Sequence, residues 1–135
     1  MLGLSANISL LFREMPLLER FAAAHEAGFP TVEIQNPYEY SACALTSAAR
    51  AADVAVILIN APLGADPATF GTAGLADRDA LFRGELERAA EYAQQLGARM
   101  VNVLAGRAAF WIALALLAAG FLRTRQRRHQ VSHRL

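Results

Sequence analysis

Residues 18–34, LERFAAAHEAGFPTVEI, decide the fold, because they are echoed with one inserted residue by residues 86–103, LERAAEYAQQLGARMVNV. Each copy reads as helix, glycine, a few residues, then a β-branched strand. Leu17, Leu18, Phe21, Ala22 and Ala24 make an apolar stripe at helical spacing. Pro16 suits the first helical turn, where its missing N–H costs nothing. Gly28 supplies the left-handed stop near Ala27. The strand Thr31-Val32-Glu33-Ile34 follows. In the second copy Leu81, Phe82, Leu86, Ala89, Ala93 and Leu96 make the stripe, and Gly97 ends the helix.

Working outward, residues 4–10 (LSANISL) predict a first strand and Ala-rich residues 41–52 a further helix. Val54 to Ile59 is nearly continuous and β-branched, as a strand covered on both faces should be. Residues 61–77 form a loop with two Pro and three Gly, long enough to serve as a lid. Asp77 or Asp79 is placed to cap the next helix, and Met100 to Leu104 makes a fourth strand. Strict alternation of strand and helix with short connections argues for an α/β fold with a parallel sheet. That leaves a doubly wound sheet or part of a (β/α)8 barrel. Each strand carries a polar residue at or near its C-terminal end: Asn7, Glu33, Asn60 and Asn102. In a barrel that end is the active-site face, so these four are the candidate pocket residues.

The charge pattern divides the chain. Residues 1–106 hold seven Arg and all twelve acids, a balance of 7 − 12 = −5, whereas residues 107–135 hold six Arg and no acid, +6. Cys43 is the single cysteine, which rules out an intramolecular disulfide and any cysteine-built metal site. The first residues lack a basic region followed by a long apolar run and a cleavage site, so no signal peptide is read. No G-x-x-x-x-G-K phosphate loop, G-x-G-x-x-G fingerprint or G-x-S-x-G elbow occurs.

Four segments together carry a family resemblance: SANISLLF (5–12), VEIQNPYEY (32–40), INAPLGAD (59–66) and GLADRDALFRGELERAAEYAQQLGARMVNVLAG (74–106). They resemble the hydroxypyruvate isomerases of the xylose-isomerase-like TIM barrels, in the expected order across roughly residues 3–106. Leu63 and Pro67 depart from the usual Ala and Trp. The resemblance implies a partial TIM barrel of about four βα units over residues 1–106. It implies an isomerase interconverting hydroxypyruvate and tartronate semialdehyde, through carboxylate acid/base chemistry and a stabilised oxyanion. It implies a small keto-acid or sugar-like substrate and a cytoplasmic location. Other isomerases or epimerases of that superfamily, such as 2-oxotetronate isomerase, are the alternative. A membrane-associated barrel fragment without activity is the rival class.

The family's metal ligands and catalytic Glu residues lie on strands five to eight, beyond the resemblance. The chain is therefore read as truncated and inactive alone, and whether it is itself an enzyme is left open. No metal or cofactor is expected in it, although a full-length relative could hold a divalent ion. Two outer strands with unpaired edges predict poor solubility or self-association.

Residues 107–135 read as a divergent tail: an apolar helix over 108–122, AAFWIALALLAAGFL, then a basic segment over 123–135. Fifteen helical residues span about 22 Å, short of the roughly 30 Å of a bilayer core, so a membrane span is not expected. Packing in the place of the barrel's fourth helix, or a frame-shifted translation, accounts better for the charge change and the lost resemblance. The arginines of RTRQRRH could neutralise phosphates, but no folded motif or interleaved aromatics support nucleic-acid binding. His129 and His133 have zinc-ligand spacing without a third ligand.

Overall fold

A computed structural model describes residues 3–64, 70–75 and 78–106. The tail readings over 107–135, the 108–122 helix and the His129/His133 pair among them, lie outside the described residues, as does Asp77.

Among the described residues four strands, β1 (Ser5–Asn7), β2 (Thr31–Ile34), β3 (Ala55–Asn60) and β4 (Met100–Asn102), alternate with three helices, α1 (Arg20–Glu26), α2 (Ala42–Ala51) and α3 (Asp79–Leu96). The strands are all parallel and lie in sequence order β1-β2-β3-β4. This is the predicted α/β partial barrel. The helices pack over one face of the sheet. Between them lies a core of Ile8, Phe21, Val32, Ile34, Leu45 and Ile59 with small residues Ala24, Ala49 and Ala93.

The predicted elements need five corrections, one being that β4 ends at Asn102 rather than at Leu104. The first strand stops at Asn7 rather than residue 10 because the Asn7 side-chain oxygen accepts the Ser9 N–H (3.1 Å), and the Asn7 carbonyl accepts the N–H groups of Leu10 (3.0 Å) and Leu11 (2.9 Å). That turns the chain off the sheet. The first helix begins at Arg20, not Pro16. Residues 16–20 make tighter turns, with Glu19 N–H bonded to Pro16 O and Arg20 N–H to Leu17 O. The Arg20 guanidinium then ties the helix start to the carbonyls of Met15 and Ile8, both at 2.9 Å. The N-cap of α3 is Arg78, without a side-chain cap, so Asp79 lies in the first turn instead of capping it. In the predicted α3 stripe, Leu81 and Leu86 are each 40% exposed, and the buried residues are Ala89 and Ala93.

All three helices end in one way. Gly28 (φ +85°), Asp53 (φ +54°) and Gly97 (φ +70°) take the left-handed conformation. The next N–H in each case reaches back five residues: Phe29 to Ala24 (2.9 Å), Val54 to Ala49 (3.1 Å) and Ala98 to Ala93 (2.9 Å). This closure satisfies helix carbonyls and aims the chain into the next strand. Asp53 is the one non-glycine of the three and carries a steric cost there. Asp53→Gly is expected to raise stability by about 0.5 kcal/mol, part of the relief being offset by the greater freedom of glycine in the unfolded chain. Urea denaturation checks it.

Candidate functional site

Register decides what meets at the C-terminal ends of the strands. Asn7 lies beside Glu33. An irregularity between Val32 and Glu33 skips Ile57, so that Glu33 lies beside Leu58, and Leu58 beside Met100. Asn60 lies beside Asn102 at the end of the same strands. Because side chains alternate across a sheet, one face collects polar groups and the other the apolar core.

The polar face opens into a cavity of about 510 Å³, within the range of small-molecule sites. All four sequence candidates, Asn7, Glu33, Asn60 and Asn102, line it. Ser9, Gln35 and Asn36 add polar groups, and Leu58, Leu63, Phe70 and Leu104 add apolar walls. Ser9 and Gln35 follow Asn7 and Glu33 by two residues. The same period-two spacing, continued past the strand ends, would have found them. Phe70 arrives from the long loop, far from any strand, and had no such signal.

The amides are held by one another and by the main chain. Asn102 Nδ2 donates to Asn60 Oδ1 (3.1 Å). Asn60 is nearly buried, and its carbonyl accepts the Tyr38 hydroxyl at 2.6 Å. The Ser9 hydroxyl accepts the Gln35 N–H at 2.8 Å, joining the loops after β1 and β2.

A brace of aromatic and charged groups outside the cavity supports this arrangement. Tyr38 and Tyr92 meet edge to face with centroids 5.0 Å apart. The Arg88 guanidinium lies 4.9 Å from the Tyr38 ring centroid and 5.9 Å from that of Tyr92, within cation–π range. Tyr92 donates to the Tyr40 carbonyl at 3.0 Å, and buried Thr72 donates to Glu85 on α3. Through Glu85, Arg88 and Tyr92, the middle of α3 thus clasps the loop after β2 and residues 70–75. Arg88 and Tyr92 have i, i+4 spacing, a legible sign of pairing. Their meeting with Tyr38 is tertiary and was not legible.

Burial pushes the Tyr38 hydroxyl up to about 12. Arg88 pulls it back, while Tyr92 and Glu85 add to the rise. A phenol whose folded pKa exceeds its unfolded value of 10.0 gives stability that is complete below pH 10 and is lost as pH climbs toward 12. Tyr38→Phe removes that alkaline loss and costs about 1 kcal/mol near neutrality, one net hydrogen bond. Denaturant midpoints of both proteins at neutral and alkaline pH check the two effects.

Among the described residues no three His, Cys, Asp or Glu side chains converge. Among those residues the mouth holds one carboxylate, Glu33, beside amides. A divalent cation of the hard, oxygen-seeking kind takes six or more ligands and draws on carboxylates, so the donors present here do not fit one. No described helix is long and apolar enough to cross a membrane.

The sequence profile of the Xylose isomerase-like TIM barrel family matches residues 21–129. A mouse hydroxypyruvate isomerase homologue is 44% identical over 108 residues, 78% of this chain and 39% of the mouse protein. The 2-oxo-tetronate isomerase of Cupriavidus necator is 41% identical over 103 residues, 76% of this chain and 40% of that protein. The hydroxypyruvate isomerase of Escherichia coli is 36% identical over 108 residues, 79% of this chain and 42% of that protein. A crystal structure titled AP endonuclease, family 2, from Brucella melitensis superposes with a TM-score of 0.75 at 34% identity, covering 78% of this chain and 42% of that one. The chain thus spans about two-fifths of the length of these relatives. With its parallel strands in sequence order, its helices on one face and its polar residues at the strand ends, the chain belongs to the xylose isomerase-like TIM barrel family.

Proposed function

We propose that this chain supplies half of the substrate mouth of an isomerase acting on a small hydroxylated 2-keto acid, hydroxypyruvate being the leading candidate and 2-oxo-tetronate the next. The observation that carries the reading is the convergence of Asn7, Glu33, Asn60 and Asn102 on one cavity. Such an isomerisation moves a proton from the carbon on one side of the carbonyl to the carbonyl carbon itself, through an enediolate whose charge lies on oxygen. Amide N–H groups suit those oxygens, and a carboxylate suits the hydroxyl protons or the proton in transit. Among the described residues Glu33 is the one carboxylate lining this mouth; it can take and return the carbon proton, while moving the hydroxyl proton between the two oxygens needs a second acid or base. The chain by itself therefore binds without turnover.

The relatives named for hydroxypyruvate and for 2-oxo-tetronate isomerisation are similarly close to this chain, which favours the shared substrate class over either member. Among the described residues no Arg lines the mouth, which gives no support to a nucleic-acid substrate, since phosphate neutralisation dominates such binding. The test is titration of the isotope-labelled chain with hydroxypyruvate. The side-chain amide signals of Asn60 and Asn102 are expected to shift, and Asn60→Leu to weaken binding at least tenfold. An unchanged spectrum at millimolar hydroxypyruvate refutes substrate binding. Metal-dependent turnover by the purified chain refutes its inactivity.

A further inference from the structure

We propose, resting on the 2-keto acid reading of the mouth, that Asn60 and Asn102 act as one recognition unit for an α-hydroxycarbonyl group. Asn60 Nδ2 donates to the carbonyl oxygen, and the neighbouring hydroxyl donates to Asn102 Oδ1. Amide polarity carries the assignment. A side-chain amide has one acceptor oxygen and an amino group with two donor protons. Asn102 Nδ2 donates to Asn60 Oδ1 at 3.1 Å, so the oxygen of Asn60 and one proton of Asn102 are engaged. What stays open is complementary: the amino group on Asn60 and the carbonyl oxygen on Asn102. Neither atom has a partner among the described residues. Asn7 differs, because its Oδ1 accepts the Ser9 N–H at 3.1 Å. Of the three asparagines at the strand ends, Asn102 alone keeps its amide oxygen open.

Burial gives the Asn60 amino group its direction. Asn60 is only 7% exposed. Among the described residues Ser5 Oγ is the one enclosed polar side-chain atom without a partner, so Asn60 Nδ2 is not sealed off. The cavity that Asn60 lines is its opening. An unpaired donor so nearly enclosed is costly, and a ligand oxygen relieves it. Asn102 lines the same cavity and is itself exposed. Main-chain bonds hold the two residues at a set spacing. They are register partners on adjacent strands, the Ala61 N–H donates to the Asn102 carbonyl at 2.8 Å, and the Tyr38 hydroxyl donates to the Asn60 carbonyl at 2.6 Å. An open donor beside an open acceptor matches a ligand with a carbonyl oxygen beside a hydroxyl proton.

Titration of the isotope-labelled full chain with hydroxypyruvate, pyruvate and dihydroxyacetone tests this. Pyruvate keeps the carboxylate and the carbonyl but lacks the hydroxyl. Dihydroxyacetone keeps the α-hydroxycarbonyl group but lacks the carboxylate. The wild-type chain is expected to bind hydroxypyruvate about tenfold more tightly than pyruvate, and each ligand should move the Asn60 side-chain amide protons downfield. Asn102→Ala, with wild-type circular dichroism, should cut that preference to about twofold, a ratio that a merely structural loss leaves alone. Asn60→Asp keeps the oxygen that Asn102 bonds and sets an acceptor in place of the donor. It should weaken all three ligands at least tenfold, uncharged dihydroxyacetone included, which charge repulsion alone would spare. Equal wild-type affinities for hydroxypyruvate and pyruvate overturn the proposal and leave the keto-acid reading standing. Binding of dihydroxyacetone alone overturns the keto-acid reading and keeps the recognition unit. Binding of none of the three overturns both. A preference that survives Asn102→Ala and disappears in Glu33→Gln assigns the hydroxyl to Glu33 and overturns the role of Asn102.

Discussion

Gly71→Ala is expected to cost about 3–5 kcal/mol, the sum of a left-handed backbone strain and a steric clash. Gly71 has φ +111°, and a Cβ built on it would lie 2.0 Å from the Leu104 carbonyl oxygen and 2.7 Å from its carbon. The obstacle is main chain at the end of the sheet, which cannot swing aside as a long side chain would. The loop must therefore retreat. It gives up the bonds from Gly71 N–H to Leu63 O (3.1 Å) and from Gly74 N–H to Ala105 O (2.7 Å), and it loosens the buried Thr72–Glu85 pair. Phe70 and Leu104 both line the cavity, so a detached loop opens the mouth and weakens any ligand there. Gly28→Ala is the reference, since Gly28 has φ +85° but nothing within 4 Å of its added Cβ, and it should cost about 1 kcal/mol. Denaturation midpoints, with hydrogen exchange at residues 71 and 74, separate the two. Equal losses would show that Leu104 is not in the way.

The second large effect is Phe21→Ala, with an expected loss of about 3–5 kcal/mol. Phe21 is fully buried and heads the largest enclosed side chains, which include Ile8, Ile34 and Leu45. It comes from α1, while its neighbours in the core come from beside β1, from β2 and from α2. A cavity at that junction cannot be filled by moving one element. Domains of this size hold about 5–15 kcal/mol in all, so the variant should be partly unfolded under mild conditions. Leu10, 59% exposed, is the contrast: Leu10→Ala should stay within about 0.5 kcal/mol. Thermal unfolding followed by circular dichroism checks both.

What the amino-acid sequence made legible was local. Helix ends at Gly28 and Gly97 could be read because glycine is the residue that takes positive φ freely. The third end, at Asp53, could not, since an aspartate there declares nothing until the backbone closes around it. Asn7, Glu33, Asn60 and Asn102 could be grouped because strand ends in a parallel α/β fold face one way. The early stop of β1 was hidden, because it depends on which way the Asn7 amide turns. The late start of α1 was hidden because Arg20 is anchored twelve residues back, at Ile8. The stripe on α3 was read with the right period, but Leu81 and Leu86 stay exposed because periodicity says which side chains share a face and not whether a neighbour covers it. The brace of Tyr38, Arg88 and Tyr92 needs two elements to meet and has no one-dimensional signature.

The strand order also sets a hierarchy of opening. β2 and β3 have a hydrogen-bonded neighbour on each side, whereas β1 and β4 have one apiece among the described residues. Every strand pairs with the strand before or after it in the chain, so the sheet can come apart from either end without unpicking its middle. Amide exchange should therefore be graded, slowest along Val32 and Ile59 and fastest along the two outer strands. The two ends of that gradient differ in what they carry. β1 is fastened by Arg20 and by the Asn7 turn, while β4 holds Asn102, one arm of the amide pair in the mouth. Fraying at β4 would release Asn102 from Asn60 while the core around Phe21 stayed shut, so this half of the amide pair sits where the sheet is easiest to open, and its partner Asn60 where it is hardest.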